Sequence, residues 1–213
     1  MRRFVPYCLL LVLSLLAALE TRAVALAKVD GVAEYRYDVL HRRISKLLPN
    51  GSNWDRTDYY HNNNWQVLEE RTSVVASATT PATQPHIQWV WGTQYIDTPI
   101  RRVRDVSGNG TWSETLYYTT DANMNVTALV DTAGNVVERV TYDTYGKPTF
   151  YAGTSFAAPA ATSAYANEIL FAGYRYDSHL GIYHVRFLIL CGDPHNISYV
   201  EFRIMWSLSD VTL

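Results

Sequence analysis

Ser155 is the residue with the clearest nucleophile context. It stands in Gly153-Thr154-Ser155-Phe156-Ala157-Ala158-Pro159. A serine there attacks an acyl carbon only if a histidine takes its proton and an aspartate orients that histidine. Two segments open like calcium loops. Asp121-x-Asn123-x-Asn125 has Val126 where the sharp turn needs glycine and Thr132 where a bidentate glutamate should close the site; Asp105 to Gly110 has its glycine but ends on Leu116. Both therefore read as β-turns. Trp89, Trp91 and Tyr95 could share one strand face; exposed, they would stack on a sugar ring, and packed they would be core. His41, His61, His86, His179, His184 and His195 show no metal-binding spacing. Cys191, after the apolar run FLIL, reads as a packed or unpaired thiol, and with Cys8 in the N-terminal apolar run it leaves no zinc site or internal bridge. No cofactor or metal is expected.

Composition narrows the class. A net charge of −2 argues against a nucleic-acid surface, because phosphate binding needs clustered cations. The nearest cluster, Arg101, Arg102 and Arg104, reads as a solvated strand or turn. Sixteen tyrosines suit pleated surfaces better than a helical domain. Asn50, Asn109, Asn125 and Asn196 fit the glycosylation sequon.

The elements that must position these side chains are strands. Leu116 to Pro148 alternates Val/Thr/Tyr-rich runs with Asx/Gly turns, and Asp121, Asp131 and Asp143 each close a run. Such spacing reads as antiparallel hairpins, which need neighbours to bury a face. Tyr35 and Tyr37 fall on one face of an earlier strand, Asp38 leads into Val39-Leu40-His41-Arg42-Arg43, and the next run closes at the turn signal Pro49-Asn50-Gly51. Trp54 to Arg71 reads as strand, Asn-rich turn, strand. Ser73 to Pro85 and Ala152 to Ala166 read as exposed loops. His86 to Asp97 resumes strand patterning, with Gly92 at a bulge or bend. Asn167 to Phe187 reads as a hairpin whose turn is DSHLG. Met1 to Ala27 has a positive start, an apolar run and small residues at Ala23, Ala25 and Ala27, the pattern of a signal peptide.

The phrases YRYDVLHRRI, YYTTDANMNVTALVDTAGNVVERVTYDTYGKP and FAGYRYDSHLGIYHVR carry a resemblance. With its Tyr37-Asp38, Tyr142-Asp143 and Tyr176-Asp177 pairs, the chain resembles an RHS-repeat, or YD-repeat, protein. Its last phrase resembles the opening of the RHS repeat-associated core. The resemblance covers roughly residues 31–187. It implies a continuous antiparallel sheet wound as a spiral around a C-terminal effector, with Tyr packing between strands and Asp satisfying turn N–H groups. Tyr35, Tyr37, Asp38, Asp121, Asp131, Gly134, Tyr142, Asp143, Gly146, Gly173, Tyr176, Asp177, Gly181, Tyr183 and Arg186 are the structural positions so implied. The sequence departs from the pattern after Arg186, where FLILCGDPHNI stands. Asp193-Pro194 is a faint echo only, so a self-cleavage role is not carried over. Too few repeats are present to close a shell. The Gly153 to Pro159 phrase is similar to the nucleophile motif of subtilisin-like proteases, but Asp131-Thr132-Ala133-Gly134 is not the D-[ST]-G such enzymes use, and no H-G-T-H-like segment exists.

The sequence therefore predicts a mainly β chain: antiparallel hairpin repeats in an open or partial YD-repeat sheet, preceded by a short N-terminal hydrophobic helix. Residues 1–27 are expected as a signal peptide, 28–187 as the YD-repeat and core-like region, and 188–213 as a divergent tail. The expected role is a non-enzymatic, exported or toxin-associated scaffold whose partner is a C-terminal effector or another β-sheet protein. A membrane contact is expected only through the N-terminal segment, if uncleaved. The alternative location is the cytoplasm, as a fragment of a larger RHS protein. The alternative functions are a carbohydrate-binding module facing a cell-surface glycan, and a serine hydrolase acting through Ser155.

Overall fold

The computed structural model of the chain describes residues 25–29, 32–185 and 188–191. Eleven strands form one sheet in chain order: β1 (Ala25–Val29), β2 (Ala33–Tyr37), β3 (Arg43–Asn50), β4 (Asn53–His61), β5 (Val67–Val75), β6 (Gln84–Trp91), β7 (Pro99–Arg104), β8 (Glu114–Thr120), β9 (Val126–Val130), β10 (Val136–Tyr142) and β11 (Pro148–Ala152). A second sheet holds β12 (Arg175–Asp177), β13 (Ile182–Val185) and β14 (Leu188–Cys191). Every pairing is antiparallel.

Alternation sets the inner face. Ile87 and Trp89 of β6 and Leu116 and Tyr118 of β8 are buried, whereas Gln88, Val90 and Tyr117 between them are exposed. That is the two-residue period of a half-buried strand. The buried row continues through Tyr59, Val67, Val126 and Leu129 and takes in Ile169 from the segment after the sheet. A second cluster joins Val140 and Phe150 to Leu170 and Tyr183. Each fully buried leucine or valine of this kind stabilises the fold by on the order of 2 kcal/mol.

The sheet is rolled. Laid flat, β2 and β11 would stand about 40 Å apart, at about 4.8 Å per strand. Yet Asp177, at the end of β12, accepts a 3.0 Å hydrogen bond from Tyr35 of β2, while Tyr183, in the facing β13, donates 2.8 Å to the carbonyl of Gly146 beside β11. One hairpin touches both ends of the sheet. It lies inside the curl.

One turn design recurs five times. Asp38, Asn62, Asp121, Asp131 and Asp143 each accept, through Oδ1, the amides of the residues two and four positions on, at 2.8–3.1 Å. The fourth residue of each turn has positive φ: His41 (60), Trp65 (67), Met124 (64), Gly134 (84) and Gly146 (87). The side-chain acceptor replaces the hydrogen bonds that the chain loses on leaving the ladder. In a strictly sequential antiparallel sheet alternate turns share an end, so the turns at Asp38, Asn62, Asp121 and Asp143 lie together with the β6–β7 connection.

Several expectations change. The N-terminal helix and residues 1–24 lie outside the described residues, as do Arg186, Asp193, Pro194, His195 and the tail beyond 191. Residues 25–27, assigned to the leader, form part of β1 against β2, and β14 carries a strand across residue 188. The first exposed loop is shorter than Ser73 to Pro85, because β5 runs to Val75 and β6 starts at Gln84. Its middle is pinned where the buried Ala82 donates its amide to Asp58 at 2.7 Å. Arg102 is not solvated: it is 0% exposed. It donates to Glu114 and to the carbonyls of Ala166 and Tyr165.

Candidate functional site

The densest chemistry lies where the interior hairpin meets the first strands. A 3-10 turn at Phe171–Gly173 sends the chain back inside the roll, and β12 then aims Arg175 and Asp177 at the sheet. Asp177, whose side chain is fully buried, lies 2.9 Å from Nζ of Lys46 and 3.3 Å from Nη1 of Arg43, both on β3. It also takes the Tyr35 hydroxyl and, through Oδ1, the His179 amide at 3.1 Å. Burial opposes its charge, but Lys46 and then Arg43 outweigh burial and hold the carboxyl well below the usual range. Asp177 thus does more than hold its turn.

Arg175 makes the second anchor. Its guanidinium bonds Glu70 of β5 and Glu168 at 2.6 Å each and lies over the rings of Tyr59 and Trp89. Burial disfavours its charge, and Glu70 followed by Glu168 more than restores it. The two anchors bring three cations and three carboxylates together, so neither sign is left to attract a charged substrate.

Beside these anchors is a cavity of about 110 Å3, walled by Tyr37, His61, Trp65, Trp91, Asp97 and Tyr174 among others. It is small against the roughly 300–1,000 Å3 of small-molecule sites. Burial, with Arg42 and Arg175 near, brings the His61 imidazole down to about 4. Burial pushes the Tyr37 phenol up to about 12. Neither group is poised to exchange protons near neutrality.

The remaining implied positions serve the frame. Tyr142 donates to the carbonyl of Val126 at 2.7 Å and packs on Phe171. Tyr176 lies against Tyr183 with centroids 4.9 Å apart. Gly181, at φ 68, gives its amide to the Asp177 carbonyl. Gly173 lies against the backbone of Asp97. Asn125 closes the β8–β9 turn and also accepts the amide of Ala172 at 2.8 Å, tying that turn to the hairpin.

The other candidates are dispersed. Trp89 is 5% exposed and donates to Glu70, Trp91 donates inward to the carbonyl of Val67, and Tyr95 lies beyond the end of β6 at 43% exposure. The three form no shared exposed platform, because the inner row of β6 is needed for the core and the strand stops before Tyr95. Ser155 sits in an exposed turn, where its Oγ accepts the amide of Ala157 at 3.1 Å. No hydrogen bond joins it to a histidine among the described residues. The Asp105 carboxylate accepts the amides of Gly108 and Gly110 at 2.8 and 2.6 Å, and that of Asp121 accepts those of Asn123 and Asn125. The sequence places Asn62 in an Asn-rich turn and Arg102 in a solvated cluster, and it singles out neither Glu70 nor Lys46; Arg102, Glu70 and Lys46 meet their partners only through the curl.

The crystal structure of TcdB2-TccC3 is similar to this chain at a TM-score of 0.51 and 18% identity, over 78% of this chain and 8% of that one. The fold is RHS-like. The RHS-like sheet thus spans about 8% of the length of the TcdB2-TccC3 chain it matches. The crystal structure of TcdB2-TccC3-Cdc42 aligns at a TM-score of 0.48 and 17% identity, over 76% of this chain and 8% of that one. A mutant of S. aureus TarM, in complex with fondaparinux, alpha-GlcNAc-glycerol and UDP, aligns at 0.25 and 10% identity over 62% and 23%. No protein-family model and no curated protein matches this chain.

Proposed function

We propose that the chain is a non-catalytic β scaffold, a wall segment or partial shell of an RHS-type protein that is exported or toxin-associated. The observation that carries this reading is the seating of the 168–185 hairpin inside the roll. Its ionised side chains are spent on partners in the sheet and within the hairpin: Asp177 on Lys46 and Arg43, Arg175 on Glu70 of β5 and on the hairpin's own Glu168. Enzymes keep at least one titratable group poised for a substrate, and these groups are held away from neutrality by partners that also hold the fold. On this reading the mechanism is backbone pairing and ring packing, and the partner is an effector or a further β-sheet. Export rests on the charged and then apolar start of the chain.

A fluorophosphonate label and a glycan array on the purified chain test the reading. The expected results are no labelling at Ser155 and a blank array. Labelling that disappears in Ser155→Ala, or a saturable glycan signal, overturns it.

A further inference from the structure

Arg43 Nη1 stands 2.9 Å from Nε2 of His184, in the strand that faces Asp177. A guanidinium carries donors only, so Nε2 must supply the lone pair and the neutral ring keeps its proton on Nδ1. A second proton on this imidazole would land on Nε2, directly against Arg43. The surroundings offer it little compensation. From β2 the ring of Tyr35 lies 5.8 Å away; from β3 come Arg43 and Lys46; from β12 come Arg175 and Asp177. Asp177 is the single carboxylate among them, 4.0 Å from Nε2 and already taken by Lys46, Arg43 and Tyr35.

We propose that His184 makes the seating of the hairpin acid-sensitive: protonating its ring breaks the Arg43 bond, sets a second cation directly against the Arg43 guanidinium, and frees the 168–185 hairpin from β2 and β3 while the sheet stays formed. Among the described residues, the other polar contacts of the hairpin with β2 and β3 include the Asp177 anchor, which the same Arg43 shares, and the 3.3 Å approach of Lys46 Nζ to Nδ1 of His179. Burial and the Arg43 charge hold the ring well below its ordinary value in the seated state. His61, across the cavity, faces Arg42, Arg43, Arg175 and Asp38 and resists protonation in the same direction. A group whose folded value is depressed takes up its proton on release. One released imidazole therefore multiplies the open fraction about tenfold per pH unit below about 6.5, or about 30-fold at pH 5.

Hydrogen exchange of the full chain at pH 7.5 and pH 5.0, corrected for intrinsic rates, tests this. The amides of β12 and β13 should lose about 30-fold protection at pH 5.0 while those of β8 and β9 keep theirs. In His184→Gln, whose amide oxygen can accept from Arg43 but cannot titrate, the hairpin should keep its protection at both values. Equal protection of the wild-type hairpin at both pH values, loss of the whole sheet together, or the same acid loss in His184→Gln overturns the proposal. The His184 ring signals in the wild-type chain give a second reading that needs no variant. They should titrate together with hairpin opening, and titration near 6.5 with the hairpin still protected overturns the proposal.

Discussion

Gly173 packs so closely on Asp97 that a β-carbon built there would overlap the Asp97 carbonyl oxygen. The contact fixes the 3-10 turn of the hairpin against the β6–β7 connection. The backbone on both sides has no slack, since Gly173 also holds φ at 71.

Gly173→Ala should cost about 3 kcal/mol or more, because main chain must move as well as strain. Gly134 also has positive φ but meets nothing within 4 Å, so Gly134→Ala should cost only about 1–2 kcal/mol. Urea unfolding of the two variants separates them. Equal losses would show that the Asp97 contact is not what fixes the turn.

Asp177→Asn should lower stability by about 3–5 kcal/mol, since it leaves Arg43 and Lys46 buried without their counter-charge. Adding Lys46→Met should recover part of that loss. The pH dependence follows from the depressed Asp177 carboxyl. Its contribution is fully present above about pH 5, where the unfolded group is ionised, and is lost progressively as pH falls further. Unfolding midpoints in urea between pH 2 and pH 5 measure it, and a wild-type slope matching that of Asp177→Asn would count against the anchor.

Arg102 bonds the carbonyls of Tyr165 and Ala166 from within the sheet, so it fastens the end of the Ala-rich loop. Arg102→Ala should cost about 2–4 kcal/mol, because it strands the two carbonyls while Glu114 keeps Arg104. Elastase should then cut between residues 153 and 166 sooner than in the wild type. Unchanged cleavage would mean that the loop is held elsewhere.

Met124 and Trp65 both carry the positive φ of their turns despite having β-carbons. Met124→Gly should relieve about 1 kcal/mol of strain, raising Tm by about 2–4 °C. Trp65→Gly relieves the same strain but strips an indole from the cavity wall, so its Tm should fall. Calorimetry of the pair checks both signs.

Local chemistry explains what the sequence revealed. Hairpins, the Asp121, Asp131 and Asp143 turns, and the hairpin at DSHLG are written in neighbouring residues, where β-branched runs and Asx acceptors act within five positions. Arg102 was misread because its partners are 12 and more than 60 residues away and meet it only once the sheet rolls. The same holds for Glu70 with Arg175, 105 residues apart. Trp89 and Trp91 were open to two readings, since alternation tells which residues share a face but not whether that face is covered. Curvature decides that, and no short run of residues encodes it.

Strand order that follows chain order has a consequence for how the molecule is made. Each strand of the large sheet pairs with the one synthesised just before it, so the sheet can grow from its beginning with only short loops to close. The contacts between Tyr35 and Asp177 span 142 residues and cannot form until the hairpin has left the ribosome. Seating of the hairpin is therefore a late event, and a nascent chain stalled before residue 168 would present its inner row of tryptophan, tyrosine and leucine to whatever chaperone is waiting.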